Sequence, residues 1–147
     1  MILIAESGST KTDWVLVDDE NQITMYKTMG FNPFFHSSEF IAGKIKENKE
    51  LYKASINIER LYFYGAGCGI ISTQKRIEKV FDQIFINSEF IIKEDTYAAI
   101  YSTVTTGEKS IVCIMGTGSN CTYFDGSDII QNVVSLGYVL MDEASGN

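Results

Sequence analysis

The stretch from Ile4 to Thr12, which reads IAESGSTKT, constrains the fold of this chain more than any other feature. An apolar run leads into a turn of glycine and small hydroxylated residues, and a second apolar run, Trp14 to Val17, follows at once. A strand, a short polar turn and another strand predict a β-hairpin whose backbone N–H groups can surround an anion. The turn also carries hydroxyl donors and one cation: Ser7, Ser9, Thr10, Lys11 and Thr12. This pattern predicts a phosphate-binding turn.

The turn differs from a P-loop, which needs the pattern GxxxxGK[ST] between a strand and a helix. An ordinary hairpin turn rich in glycine and serine is the alternative interpretation. The pattern recurs, however, because the apolar run Ser110 to Met115 leads into Gly116 to Ser119, and Asn120 to Phe124 reads as another strand. Two similar hairpins indicate an internal duplication with a nucleotide held between the copies.

Composition and charge exclude some classes of partner. The formal net charge is −7, whereas a nucleic-acid-binding protein needs a basic face, so we expect no nucleic acid partner. No apolar run is long enough to span a membrane. Cys68, Cys113 and Cys121 are odd in number and lack the CxxC spacing of a zinc site. We therefore expect buried free thiols and a cytoplasmic location.

The order of predicted elements in residues 1–108 is βββαβαβα, a mixed β-sheet with flanking helices. After the hairpin, residues 22–30 read as a third strand, and Asn32-Pro33 marks a loop. The remaining elements are a helix from Ser37 or Ser38 to about Lys53, a strand at 60–66, a helix at 73–86, a strand at 89–93 and a helix from Glu94-Asp95 to about Thr105. Apolar side chains mark one side of each helix: Phe40, Ile41, Ile45 and Tyr52 in the first, Ile77, Val80, Phe81, Ile84 and Phe85 in the second, and Tyr97, Ile100, Tyr101 and Val104 in the third. We interpret these residues as one α/β domain.

Residues 109–147 read as the start of a second, similar domain. They contain a strand, the glycine turn, a second strand, a tight turn at Asp125-Gly126 and a third strand at 128–134. Such a meander has no predicted layer to cover it, so it looks like an incomplete domain. We expect the chain to be the N-terminal part of a larger protein, or to associate through the uncovered sheet.

Six segments carry a resemblance to a known family: the phosphate turn with Asp13-Trp14, Phe31-Asn32-Pro33, Gly65 to Cys68, Glu94 to Ala99, Met115 to Asn120, and Gly137 to Gly146. In this order they resemble the N-acetylglucosamine kinase-like and BadF/BadG/BcrA/BcrD ATPase family, within the superfamily of acetate and sugar kinases, heat-shock chaperones and actin. The resemblance implies a ribonuclease H-like, actin-like ATPase fold of two domains with ATP and Mg²⁺ between them. It implies phosphoryl transfer from ATP to a hydroxyl of N-acetylglucosamine or glucosamine. The remainder of a two-domain kinase, or a second copy in a homodimer, would complete the enzyme, and this chain alone can be inactive.

The resemblance also implies roles for individual residues. ATP phosphates would be bound by Ser9, Thr10, Lys11 and Thr12 in the first turn and by Gly116, Thr117 and Gly118 in the second. The sugar would be bound by Asn32, Asp95, Ser119, Asn120, Leu136, Gly137 and Asp142. Glu6 would serve the magnesium ion, although the family usually has an aspartate there, and Met141 and Ala144 replace two usual glycines. Asp95 would be the general base, since a sugar hydroxyl that attacks a phosphoryl group needs an acceptor for its proton.

The alternatives remain open at this point. Asp95 can also be an acid at a helix start that interacts with the helix dipole. The chain can be a family ATPase that activates a dehydratase through an iron–sulfur cluster, which would need paired cysteines from both subunits. It can also be a nucleotide-binding module without catalysis.

Overall fold

The predicted hairpin opens a five-stranded mixed sheet in the computed structural model, which describes residues 1–116 and 119–130. Strands β1 (Ile2–Ser7), β2 (Lys11–Val17) and β3 (Ile23–Met29) form an antiparallel meander in which β2 pairs with both β1 and β3. Strands β4 (Arg60–Gly65) and β5 (Glu89–Glu94) run parallel to β1. The order across the sheet is β3-β2-β1-β4-β5.

Alternation along β1 gives the sheet two different faces, because successive side chains of a strand point to opposite sides. Leu3, Ala5 and Ser7 are fully buried on one face. Ile2 and Ile4 are each 39% exposed, and these two share the other face with Glu6. The apolar face forms the core, and the other carries charged residues at one end.

Three helices contribute to the core on the first face: α1 (Ser38–Glu47), α2 (Lys49–Ala54) and α3 (Ile71–Phe81). A short 3₁₀ helix, Ser55–Asn57, follows α2. Trp14 is fully buried in this core, and its ring centroid lies within 6.4 Å of four phenylalanine rings: Phe31, Phe63, Phe81 and Phe85. Large aromatic side chains of this kind provide much of the apolar area that a core buries.

The prediction of a single helix to about Lys53 was wrong, because the chain breaks at Asn48. This residue has an extended conformation (φ −80°, ψ 91°), and its side chain accepts a hydrogen bond from the backbone N–H of Leu51. Asparagine at such a position caps the following helix, here α2. Tyr52, predicted on the apolar face, is 45% exposed, and Leu51 is buried instead.

Helix α3 begins two residues before its predicted start and ends at Phe81, short of the predicted Ile86. Ile84 and Phe85 lie in the turn that follows, yet both are buried, so the predicted apolar stripe is confirmed while the helix length is not. The predicted start of the following helix at Glu94 was wrong by two residues, because Glu94 belongs to β5 and α4 begins at Thr96.

By its contacts the chain divides into two units, Met1–Asp95 and Thr96–Asn147. In the second unit α4 (Thr96–Thr103) packs against β6 (Ser110–Met115) and β7 (Ser119–Phe124), so α4 groups with this sheet, whereas the boundary predicted after residue 108 leaves it with the first. The antiparallel sheet continues into β8 (Ile129–Ile130), and the rest of the strand predicted at 128–134 lies outside the described residues.

Two predictions about burial in the second unit were wrong. Ile100, Val112 and Phe124 form its small core, whereas Tyr101, predicted on the buried side of the helix, is 51% exposed. Cys113 and Cys121 are exposed, although buried thiols were predicted, and Cys68 alone among the three is buried. The prediction failed because β6 is apolar on both faces, so its alternation does not reveal which face is covered.

The observed order of elements follows the predicted βββαβαβα once the first helix is divided in two. The prediction of a mixed α/β fold with a mixed sheet and flanking helices is confirmed, whereas the last helix of the predicted order belongs to the second unit. Among the described residues, no helix is long and apolar enough to cross a membrane.

Candidate active site

The topology of the first sheet brings its functional loops to one edge. The parallel strands β1, β4 and β5 all end at this edge, and the antiparallel strands place the start of β2 and the end of β3 there as well. Loops at the carboxyl ends of parallel strands are the usual location of ligand sites in α/β proteins. The turn after β1, the loop after β3, the glycine loop after β4 and Asp95 after β5 therefore share this edge.

The turn Gly8–Ser9–Thr10 between β1 and β2 presents hydrogen-bond donors at the surface. Within the turn, the N–H of Gly8 donates to the carbonyl of Lys11 over 3.1 Å. Ser9 and Thr10 are exposed, and within the described part of the chain neither their backbone N–H groups nor their hydroxyls donate a hydrogen bond. The turn thus offers unsatisfied donors of the kind that bind an anion.

Buried hydroxyls hold the base of this turn in position. The Ser7 and Thr12 hydroxyl oxygens lie 2.7 Å apart, and both residues are fully buried. The hydroxyl of Thr12 donates to the carbonyl of Met29 over 3.0 Å, while the N–H of Phe31 donates to the Ser7 hydroxyl over 2.9 Å. The hydroxyl of Thr12, predicted to contact phosphate, is therefore engaged inside the protein, where it joins the hairpin to the end of β3.

Gly30 packs directly beneath the turn. Its N–H donates to the carbonyl of Thr10 over 3.1 Å. A Cβ atom at this position would lie 2.3 Å from the carbonyl oxygen of Gly8, 2.7 Å from the carbonyl carbon of Ser9 and 2.8 Å from the nitrogen of Lys11. These contacts are with backbone atoms, so a larger residue could be accommodated only by a shift of the turn.

Acidic residues surround the start of the hairpin on the face opposite the core. Strand register places Glu6 opposite Asp13, and Asp13 opposite Lys27 on β3. Burial raises the pKa of the Glu6 carboxyl above its ordinary value, and the negative charges of Asp95 and Asp13 raise it further, while Lys11 opposes the shift. Glu6 and Asp95, distant in sequence, thus interact electrostatically.

Lys11 is exposed and forms an ion pair with Asp13, and the Lys27 Nζ lies 3.8 Å from the other carboxylate oxygen of Asp13. The hydrogen bond to Asp13 raises the pKa of Lys11, so this side chain is a cation at neutral pH. A phosphate at the turn would compete with Asp13 for it.

The site offers few side chains that could bind a metal ion. In residues 1–116 and 119–130, no three His, Cys, Asp or Glu side chains converge closely enough to hold a metal. Mg²⁺ is commonly bound through one or two carboxylates, with waters and substrate phosphates as the other ligands. The partly buried, mutually repelling carboxylates of Glu6 and Asp95 suit that mode, because a cation beside them would relieve the repulsion.

The loop after β3 is held in a defined shape around Asn32. The Asn32 Oδ1 accepts a hydrogen bond from the N–H of Phe34 over 2.9 Å, and its backbone N–H donates to the His36 Nδ1 over 3.2 Å. The Asn32 Nδ2 donates to no group in the described part of the chain. Arg76, from α3, donates to the carbonyls of Pro33 and His36, the latter over 2.6 Å. The loop thus leaves one amide donor of Asn32 available to a ligand.

The glycine loop after β4 packs against this loop and against β5. Gly67 has a φ of +77°, which favours glycine, and a Cβ there would lie 2.6 Å from the Asn32 Oδ1. Thr73 and Gln74 of α3 donate to the carbonyls of Gly67 and Cys68. Burial and the nearby charges of Asp95 and Glu94 raise the pKa of the Cys68 thiol to about 12, so it is a neutral, buried group.

Next to this loop, Glu94 is partly buried: a Cβ on Gly69 would lie 3.3 Å from its Oε2. Burial and then the charge of Asp95 raise the pKa of Glu94. Asp95 itself is partly buried and directly follows β5. Two adjacent carboxylates therefore stand at the end of this strand.

The second predicted turn is described only in part. Gly116 is exposed after β6, and Ser119 and Asn120 begin β7. The Asn120 Nδ2 donates to the Thr96 hydroxyl over 3.2 Å, which engages it within its own unit. The other predicted residues lie outside the described residues: Thr117, Gly118, Leu136, Gly137 and Asp142.

Solved structures resemble the fold of this chain. The chain matches a crystal structure from Porphyromonas gingivalis, provisionally named an N-acetylglucosamine kinase, with 34% sequence identity and a TM-score of 0.86 over 97% of this chain. The resemblance to N-acetylglucosamine kinase-like proteins is confirmed. This chain spans 50% of the length of that kinase-like protein.

A second kinase-like structure, from Cytophaga hutchinsonii and provisionally named a sugar kinase, matches 99% of this chain with a TM-score of 0.62. Its sequence is 16% identical, so it supports the fold alone, and this chain covers 56% of it. No protein-family model matches the chain, and no curated protein does.

Sequence reasoning missed three residues of the site: Gly30, Asp13 and Arg76. Gly30 gave a weak signal as a glycine at the end of a strand. Asp13 could be assigned to the site only once the strand register was known, because the register pairs it with Glu6. Arg76 gave none, because it lies 40 residues or more from the carbonyls that it contacts.

Proposed function

We propose that the protein transfers the γ-phosphoryl group of ATP to a hydroxyl of an amino sugar of the N-acetylglucosamine type. The observation that supports this proposal best is the electrostatic interaction of Glu6 and Asp95 next to a turn with unsatisfied donors. Hydrogen-bond donors that can bind an anion, placed beside carboxylates, suit phosphoryl transfer, because the reaction needs both phosphate binding and a proton acceptor. The provisional name of the structure from P. gingivalis, which concerns that protein, agrees with the proposal.

The phosphates of ATP would be bound by the turn Gly8–Ser9–Thr10 and by Lys11. Backbone N–H groups and hydroxyls of the turn donate to phosphate oxygens, and Lys11 exchanges its ion pair with Asp13 for one with phosphate. Thr12 and Gly30 act as positioning residues, because one ties the hairpin to β3 and the other supports the turn from below.

Glu6 would hold Mg²⁺, directly or through water, with a further carboxylate on Asp13, its partner in the strand register. Bound there, the ion would neutralise part of the phosphate charge. The raised pKa of Glu6 reflects first the burial of its carboxyl and then the negative charges of Asp95 and Asp13, and a bound divalent cation would offset this cost.

Asp95 would be the general base. It accepts the proton of the sugar hydroxyl as the hydroxyl oxygen attacks the γ-phosphorus and the bond to the ADP oxygen breaks. The products are a sugar phosphate and ADP. Asn32 would orient the sugar through its available Nδ2 donor, in the loop that Arg76 holds.

The proposal is tested by ADP release from ATP and Mg²⁺ with a panel of hexoses and amino sugars. The assay uses this chain and the longest gene product that contains it. We expect sugar-dependent release and a reduction of kcat by about 10²–10⁴-fold in Asp95→Asn. Asp82→Asn is the matched control, because Asp82 is an exposed residue at the end of α3.

Two results would contradict the proposal in different ways. Full activity in Asp95→Asn would exclude this residue as the base. ATP binding or hydrolysis that no sugar stimulates would exclude the kinase and favour a family ATPase or a nucleotide-binding module. The roles inferred for Gly116, Thr117, Gly118, Ser119, Asn120, Leu136, Gly137 and Asp142 remain predictions.

A further inference from the structure

Two exposed cysteines lie opposite each other in the second sheet. Cys113 on β6 and Cys121 on β7 are direct partners in the antiparallel register. Their Sγ atoms are 2.8 Å apart, and both side chains are exposed. This pairing is not evident from the sequence, because the two residues are separated by the turn and only the strand register brings them together.

This arrangement meets the geometric requirements of a disulfide. Directly opposed residues of an antiparallel pair have Cα atoms about 4.5–5.5 Å apart. Disulfides join residues whose Cα atoms are about 4.4–6.8 Å apart, with a bond of about 2.05 Å between the sulfurs. The Sγ atoms of Cys113 and Cys121 therefore need to approach by less than about 1 Å, without a change in strand register.

Cys68 provides the contrast within the same chain. It is fully buried in the core of the first unit, and its pKa is raised to about 12. Because the thiolate is the reactive form, a buried thiol with so high a pKa is inert to oxidants. The exposed pair and the buried thiol thus differ in their access to oxidants.

We propose that Cys113 and Cys121 form a reversible cross-strand disulfide by exchange with a small disulfide such as oxidised glutathione. The thiolate of one cysteine attacks a sulfur of the small disulfide and releases one small thiol. The thiolate of the other then attacks the mixed disulfide and releases the second. In sum, two protein thiols are oxidised, one small disulfide is reduced to two thiols, and the two thiol protons pass to the released thiolates.

The crosslink would lie close to the turn that begins at Gly116. Two residue pairs, Ile114 with Asn120 and Met115 with Ser119, separate it from the turn. A bond there restrains the opening of the hairpin, so backbone amide exchange in β6 and β7 slows on oxidation. An exposed disulfide is readily reduced again, as expected of a redox-responsive bond. This inference does not depend on the proposed kinase activity.

The test is titration of free thiols in denaturant after incubation of the full chain with oxidised glutathione and removal of excess reagent. The hydrogen bond with Cys121 raises the pKa of Cys113. The incubation is therefore run at a pH above about 8.5, where an ordinary thiol is more than half ionised. We expect the count to fall from three thiols to one, with the loss of two hydrogen atoms from the chain mass. Peptide mapping should join the segment with Cys113 to that with Cys121, and dithiothreitol should restore all three thiols.

Variants separate the proposed bond from other oxidation products. Cys68→Ala should form the same crosslink and retain no free thiol. Cys113→Ser and Cys121→Ser should each add glutathione or dimerise instead of forming an internal bond. Three free thiols after oxidation, a crosslink to Cys68, or glutathione adducts on both Cys113 and Cys121 would overturn the proposal.

Discussion

Replacement of Gly30 by alanine should disturb the phosphate turn from beneath. The new Cβ would lie 2.3 Å from the Gly8 carbonyl oxygen and under 3 Å from backbone atoms of Ser9 and Lys11. The φ of Gly30 is outside the left-handed region, so the cost is steric alone. Overpacking in a close-packed region costs about 1–3 kcal/mol of the free energy of unfolding. With a urea m-value of about 2 kcal/mol/M, a loss of about 2 kcal/mol lowers the unfolding midpoint by about 1 M.

Gly43→Ala is the matched control, since it makes the same chemical change inside α1. A Cβ at Gly43 has nothing within 4 Å, and alanine is favoured over glycine in a helix by about 1 kcal/mol. The control should therefore raise the urea midpoint, while Gly30→Ala lowers it and weakens ATP binding measured by calorimetry. A Gly30→Ala protein with wild-type stability and ATP affinity would refute the close packing beneath the turn.

Three further substitutions test other parts of the site. Ser7→Ala leaves the buried N–H of Phe31 without its acceptor and should lower the free energy of unfolding by about 1–3 kcal/mol in urea titrations, whereas the exposed Ser72→Ala should change it little. Arg76→Met releases the loop with the predicted sugar-binding asparagine and should raise the KM for sugar about tenfold, with a smaller change in kcat, in steady-state assays. Glu6→Gln should stabilise the protein at pH 7. Folding raises the pKa of the Glu6 carboxyl, so its ionisation lowers the free energy of unfolding as the pH rises above about 4.3, the pKa of a glutamate in the unfolded chain. Unfolding midpoints of wild type and this variant should converge below that pH, and a midpoint difference that persists at pH 3 would contradict the pKa argument.

Much of the fold was predictable, because local patterns determine the elements. The apolar stripe of α3 and the apolar run before the first turn gave the correct element types, whereas the two faces of β1 became known only from the structure. Element ends were less predictable, since they depend on single residues. Asn48 lies in a charged stretch with good helix formers on both sides, and its side-chain bond to the Leu51 N–H, rather than propensity, ends α1.

The site was predictable where its residues are adjacent in sequence and unpredictable where tertiary packing decides. Composition alone indicated the turn at Ser9 and Thr10. The opposite outcome at Thr12, whose hydroxyl points into the protein, depends on the pairing of β2 with β3. The pairing of Cys113 with Cys121 likewise depends on the register of two strands joined by a turn.

The most direct test of the proposed function is detection of the product rather than of ADP. Wild-type protein is incubated with Mg²⁺, N-acetylglucosamine and ATP whose γ-phosphoryl oxygens are isotopically labelled, and the mixture is analysed by mass spectrometry. The account predicts labelled N-acetylglucosamine phosphate from wild type and from Asp82→Asn, and a strongly reduced yield from Asp95→Asn. Labelled inorganic phosphate without a labelled sugar, across the panel of sugars, would contradict phosphoryl transfer to a sugar.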